Sequence, residues 1–207
     1  MREMDDLLRE AEIAHGHLCA GQVLGVRMAM VGSERLGIVD PRGQDRKRLV
    51  TFVEIDRCAT DAIGVVTGCR LGKRALKFRD WGKMAATFVD LETGRAVRIV
   101  ARESSKDAAH ALHPEIENKN LQQMQAYREL PDGALFTEEW VRVTLDPSEF
   151  PGYKSERIAC AVCGEGINYE RYVIKDGKKL CRGCADPEQR YYQAAPKNEI
   201  KANAELL

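Results

Sequence analysis

The sequence predicts an α+β protein, with helices packed on a mostly antiparallel sheet and a small zinc-finger module following it. Three observations carry this. Helix and strand patterns fall in clumps rather than alternating regularly, which is the signature of segregated elements and not of a doubly wound parallel sheet. Two apolar strand patterns meet at Gly94, as in an antiparallel hairpin. Four of the seven cysteines form two Cys-x-x-Cys pairs toward the C-terminus, the spacing of zinc knuckles.

The elements follow in order. Leu7, Leu8, Ala11 and Ala14 recur at helical spacing and predict a helix over 4–14, broken at His15-Gly16. A second helix is expected over 22–36, with Val23, Val26, Met30 and Val31 on its buried face. Residues 39–48, with Pro41 and Gly43, read as a basic loop, and 49–55 (LVTFVEI) as a buried strand. A short helix over 58–67 ends at Gly68. Strands are expected over 76–78, 85–91 and 96–101, then a polar helix over 115–130 stopped by Pro131, then a strand over 135–145. The Pro- and Gly-containing stretch 147–153 is the natural boundary. This organises the chain as a core domain over 1–150, a zinc finger over 156–186 and a polar tail over 187–207 that could form a short helix.

Composition narrows the function classes. The chain has 207 residues, 44% of them hydrophobic, which suffices for one ordinary domain and a small module. No apolar stretch approaches the ~18 residues needed to cross a membrane, and MREMDDLLRE does not read as a signal peptide. Lys plus Arg and Asp plus Glu are balanced at 32 each, so no global field draws the protein to nucleic acid or to a membrane surface. Arg42, Arg46, Lys47 and Arg48 form a local basic run through which nucleic-acid binding is a third, weaker expectation, with the balanced charge against it. An odd number of cysteines without a secretory leader reads as thiols and metal ligands in a reducing, cytoplasmic compartment.

The chemistry concentrates in His15-Gly16-His17-Leu18-Cys19. In an extended segment residues two apart share a side, so His15, His17 and Cys19 would converge; on a continuous helix His17 would swing away. Cys19 falls just before the second helix, where unpaired amides and the macrodipole favour an anion and lower a thiol pKa. Further on, RCATDAIGVVTGCRLGK carries Cys58 and Asp61 on one helical face, then Cys69 and Lys73 beyond the helix. Cys19, His17, Cys58, Asp61, Cys69 and Lys73 are therefore the candidate catalytic residues. His15, His17, Cys19, Cys58 and Cys69 are candidate ligands for a second transition metal beside the structural zinc. Each cysteine alone would read as a small buried side chain. Lys73 and Lys83 could meet an anionic group or simply water, Trp81 reads as packing, and His110 and His113 read as surface histidines or a further metal pair.

Cys160-x-x-Cys163, seventeen residues, then Cys181-x-x-Cys184 is a closed four-thiolate zinc pattern, with Asp176-Gly177 turning a hairpin between the pairs. From Lys154 to Glu188 there are seven basic and six acidic residues. Four thiolates on one divalent ion remove any remaining positive charge. Nucleic-acid fingers are strongly basic, so a structural or protein-contact role fits better.

HGHLCAG, CATDAIGVVTGCRLGK and WGKMAATFVD together resemble the FmdE family, named for the E component of formylmethanofuran dehydrogenase, over about residues 12–100. The trailing module is similar to the DksA/TraR-type zinc finger that many members carry. The resemblance implies an α+β core, a homodimer, a cleft with metal-capable residues, and association with a larger molybdenum or tungsten redox enzyme. His17 and Cys19 match the family's HGHxCPG motif, and Cys58, Asp61, Cys69 and Lys73 match its second motif. Ala20 replaces the usual proline and Arg70 a common threonine. Two functions follow as expectations. One is a metal- or thiol-dependent protein that binds or transforms a small molecule, or carries a metal or sulfur species. The other is a non-catalytic accessory component that docks through its zinc finger. Whether the protein is an enzyme stays open at this point.

Overall fold

A computed structural model describes residues 2–194; the short helix expected near the C-terminal end lies outside them. The chain divides into two compact units, Met1–Gly152 and Tyr153–Leu207. Among the described residues no helix is long and apolar enough to cross a membrane.

In the first unit, α1 (Met4–His15) buries Leu7, Leu8 and Ala11 and ends where Gly16 turns left-handed, its amide bonded to Glu12 O at 2.7 Å. The second helix, α2 (Ala20–Leu36), is the hub of the fold and is buried nearly all round. It starts two residues earlier than the apolar pattern implies. The side chain of Asn120 accepts from the Ala20 amide at 3.1 Å, so Gly21 is taken into the first turn. Such a helix needs small residues where neighbours press on it. Gly25 faces the backbone of Ala59, and Gly32 lies under the ring of Phe88.

The sheet has the order β2-β1-β3-β4-β5, from β1 (Leu49–Val53), β2 (Leu76–Phe78), β3 (Ala85–Asp90), β4 (Ala96–Ala101) and β5 (Phe136–Val141). All neighbours are antiparallel except β1 and β2, which run parallel because α3 (Cys58–Thr67) crosses between them. Gly94, at φ 72°, turns the β3–β4 hairpin. Leu49, Val53, Ala86, Phe88, Val97 and Ile99 pack with the helices in one core, while Val50, Val89 and Ala96 form a small cluster on the opposite face. Beside that cluster Arg98 grips the buried Glu54 with two hydrogen bonds of 2.7 Å.

Between β4 and β5 the chain forms α4 (Ser105–Leu112), α5 (Lys119–Glu129) and the single turn α6 (Asp132–Leu135). The fourth helix falls in a stretch that the sequence marks only as polar: Ala109 and Ser105 pack inward and pin it against α5. The fifth begins four residues later than expected, at its Asn118 cap, whose side chain accepts from the Asn120 and Leu121 amides. The last strand ends at Val141 rather than 145.

The second unit pairs β6 (Ile158–Ala159) with β7 (Gly166–Ile167) and β8 (Tyr172–Lys175) with β9 (Lys178–Cys181), followed by the single turn α7 (Arg182–Ala185). Asp176 and Gly177, both at positive φ, make the β8–β9 turn. Among the described residues, Cys160, Ile167 and Leu180 alone form its buried cluster, too little apolar surface to hold so short a unit together unaided.

Candidate functional site

The first site gathers where α1 ends and α2 and α3 begin. His15 is the last residue of α1, Cys19 is the N-cap of α2 in extended conformation, and Cys58 is the first residue of α3. The segment is thus a helix end, a glycine turn and a cap rather than one extended stretch. It nevertheless leaves the His15 and His17 rings 4.9 Å apart. Gly21 separates the two thiol residues so narrowly that a Cβ there would lie 3.4 Å from Cys58 Cβ and 3.8 Å from Cys19 Sγ. His15 Nδ1 lies 2.8 Å from Asp61 Oδ2. A carboxylate only accepts, so Nδ1 is the donor, and in the neutral imidazole Nε2 is the nitrogen left with a lone pair. His15, Cys58 and Asp61 line a cavity of about 310 Å³ with Asp56, Arg57 and Thr60.

Burial pushes the Cys58 thiol up, and its hydrogen bond to Cys19 pushes it further. These effects outweigh the helix N-terminus, which alone would favour a thiolate. Cys58 is therefore a thiol at neutral pH unless a cation displaces its proton, which suits a metal ligand better than a free nucleophile.

The other candidates lie elsewhere. Cys69 is turned into the core, where its thiol donates to Leu49 O at 3.4 Å and accepts from Thr51 Oγ1 at 3.6 Å. Burial raises its pKa as well. Lys73 is exposed on the short 3-10 turn after α3 and lines a different cavity. His110 bonds to Gln122, and His113 sits between Glu115 and Glu129 at 3.2 and 3.1 Å, so the pair forms no shared site. Asn120, which fixes the start of α2 beside Cys19, gives no sequence signal: it is a hundred residues away and reads as one polar helix residue among many.

In the second unit Cys160, Cys163, Cys181 and Cys184 bring their sulfur atoms within 4.8 Å of one another. Backbone amides of Cys163, Cys181 and Val162 hold the Cys160 thiol down to about 6. The Cys181 amide reaches its sulfur at 3.2 Å, and Arg190 donates to Cys184 Sγ at 3.1 Å. Burial and the neighbouring sulfurs push the Cys163 thiol up to about 12, and its bond to Cys181 raises the Cys184 thiol, so holding all four as thiolates takes a cation, as in a closed structural zinc site. Among the described residues no other set of three or more His, Cys, Asp or Glu ligand atoms meets that spacing.

An α+β core with a His/Cys cleft, joined to a four-cysteine knuckle pair, defines a small zinc-finger protein whose first unit carries a separate polar site. The chain belongs to the FmdE family: residues 14–147 match the family described as FmdE, molybdenum formylmethanofuran dehydrogenase operon. Residues 152–190 match the prokaryotic DksA/TraR C4-type zinc finger. A probable S-adenosyl-L-methionine-binding protein of Archaeoglobus fulgidus is 31% identical over 97% of this chain, which spans 57% of that relative's length. A crystal structure of an FmdE-like protein of the tungsten formylmethanofuran dehydrogenase type, from Syntrophus aciditrophicus, superposes with a TM-score of 0.61. The match covers 91% of this chain and 95% of that one at 19% identity, a likeness of fold.

Proposed function

We propose that the core unit binds a transition metal of the zinc class in the cleft and presents it to a small molecule. Cys19, Cys58 and His15 would supply the ligands, with His17 beside them and Asp61 holding His15 in the tautomer that leaves Nε2 free. The observation that carries this is the His15–Asp61 hydrogen bond, because a carboxylate on the far nitrogen is the usual outer partner of a metal-ligating histidine. Two sulfurs and imidazole nitrogen are a donor set for zinc or a softer ion. As placed, the ligand atoms are more widely spread than in the cysteine quartet, so binding would draw the side chains together. With only protein side chains on part of its coordination sphere, the metal would supply Lewis-acid or water-activating chemistry. The chain's own part is to orient His15 and to give up the Cys58 proton. S-adenosylmethionine is no part of this reading, since the chain spans 57% of the relative named for it. Dimerisation of the core and association with a molybdenum or tungsten enzyme extend the proposal, on the strength of membership in the family.

Elemental analysis of the full-length protein tests it. The expected result is about two metals per chain, falling to about one in a Cys19→Ser/His17→Ala variant of unchanged fold. One zinc in both proteins would overturn the proposal and favour an accessory component that docks through its zinc finger.

A further inference from the structure

A cavity of about 940 Å³ lies at the far end of α3 from the His/Cys cleft, lined by Gly64, Val65 and Gly68 where the cleft is lined by Cys58 and Asp61. Its walls carry five cations, Arg42, Arg46, Lys47, Arg70 and Lys73, against the single carboxylate of Glu10. Cations commonly gather at a helix C-terminus, but that end carries only about half a negative charge. Arg42 already meets it, donating to Val65 O at 3.1 Å and pairing with Glu10. Glu10 is shared again with Arg2. Arg46 has only the Gly43 carbonyl at 3.3 Å, and among the described residues the side chains of Lys47, Arg70 and Lys73 have no hydrogen-bond or ion-pair partner. The next residue in the basic run makes the contrast plain: Arg48 is consumed by Asp45, Asp90 and Glu92 at 3.1, 2.8 and 2.9 Å. The cavity therefore keeps an unneutralised surplus.

The walls are built rather than incidental. Lys77 Nζ donates to Glu149 O at 2.5 Å, Arg74 donates to Ser148 O, and Arg79 pairs with the Glu149 carboxylate. These bonds tie the 147–150 turn to β2 and set Pro151 and Gly152 at the cavity's edge. Leu49, Val65 and Ala75 give it an apolar side. A volume of this order suits one small organic ligand.

We propose that this cavity binds a small organic polyanion, with two or more phosphate or carboxylate groups for Arg46, Lys47, Arg70 and Lys73 and an apolar or planar portion for the Leu49–Val65 side. A concave site in a chain of zero formal net charge favours a small molecule over nucleic acid, which would call for an extended basic stripe. The proposal does not depend on a metal in the cleft.

The test is calorimetric titration of the full-length protein with pyrophosphate, ADP, citrate, adenosine and a single-stranded oligonucleotide. Binding of ADP or citrate is expected, with the preferred one identifying phosphate or carboxylate as the recognised group, and with adenosine alone far weaker. Arg70→Ala/Lys73→Ala, both exposed positions, should weaken binding roughly tenfold or more with zinc content and helicity unchanged. Glu10→Gln, which removes the competing carboxylate, should tighten it. Failure of both ADP and citrate to bind, whether or not pyrophosphate does, equal binding by the double variant, or tighter binding of the single-stranded oligonucleotide than of ADP would each overturn the proposal.

Discussion

Asp61 accepts from Nδ1 of His15 at 2.8 Å across 46 residues of chain, locking together the end of α1 and the first turn of α3. If the cleft holds a metal, Asp61→Ala should lower its affinity roughly tenfold, the low end of the usual outer-partner effect because Asp61 is largely exposed. Competition with a chromophoric chelator measures this, and zinc in the cysteine quartet should be unaffected. An unchanged affinity would leave Asp61 as a helix-terminal surface carboxylate and remove the support for His15 as a ligand.

Gly25 sets how closely α2 and α3 approach. A Cβ there would lie 2.7 Å from Ala59 Cα and 2.9 Å from Ala62 Cβ, atoms that cannot rotate away. Gly25→Ala should cost about 1–3 kcal/mol by forcing the helices apart. Because Cys19 caps α2 and Cys58 opens α3, the same displacement should loosen the cleft. Urea denaturation reads the first effect and cleft metal affinity the second. A variant as stable as the wild type would mean that α3 shifts freely.

Much of this is legible in the sequence, for identifiable reasons. The helix over 58–67 and the strands over 76–78 and 96–101 match their observed bounds, since each is a short apolar run closed by a glycine or charged residue. The cysteine quartet follows from spacing because a knuckle encodes its geometry locally. Cys69 illustrates what does not follow from local pattern. Thiol and carboxylate neighbours give it the look of a cleft residue, yet its orientation depends on Leu49 and Thr51, which only the sheet brings beside it. The basic run 42–48 is similar. Sequence shows its charge, but which cations are neutralised depends on Glu10 from α1 and Asp90 from β3.

Asp90 makes the core sensitive to acid. It is fully buried; burial raises its pKa, but Arg48, the Thr93 hydroxyl and the Glu92 amide outweigh that and hold the carboxyl below its ordinary value. A carboxylate depressed in the folded state contributes stability that is full above about pH 4 and lost as the pH falls through the lowered folded value. Asp90→Asn should therefore destabilise the core at neutral pH and flatten this part of the acid limb. Urea midpoints between about pH 2 and pH 7 decide it; parallel profiles for the variant and wild type would show that Asp90 contributes no such term.

The two units should respond differently to loss of zinc. In the first, Val23, Val26, Phe88, Val97 and Ile99 belong to a broad core built from helices and sheet that includes none of the quartet's cysteines. In the second, among the described residues only Cys160, Ile167 and Leu180 are buried together, and one of the three is itself a ligand candidate. Removing the ion leaves four sulfurs within 4.8 Å without the charge that holds them deprotonated, while backbone and side-chain entropy still favours unfolding. A strong chelator should therefore release zinc and abolish amide protection in 158–181, while amides of α2, β3 and β4 keep theirs. Hydrogen exchange followed residue by residue makes the comparison directly. Cys163→Ser should behave like the chelated wild type in the second unit, since three thiolates hold zinc far less tightly than four. Should β8 and β9 stay protected after zinc has gone, the quartet would not be the structural keystone of its unit, and a redox or metal-exchange role for those thiols would follow.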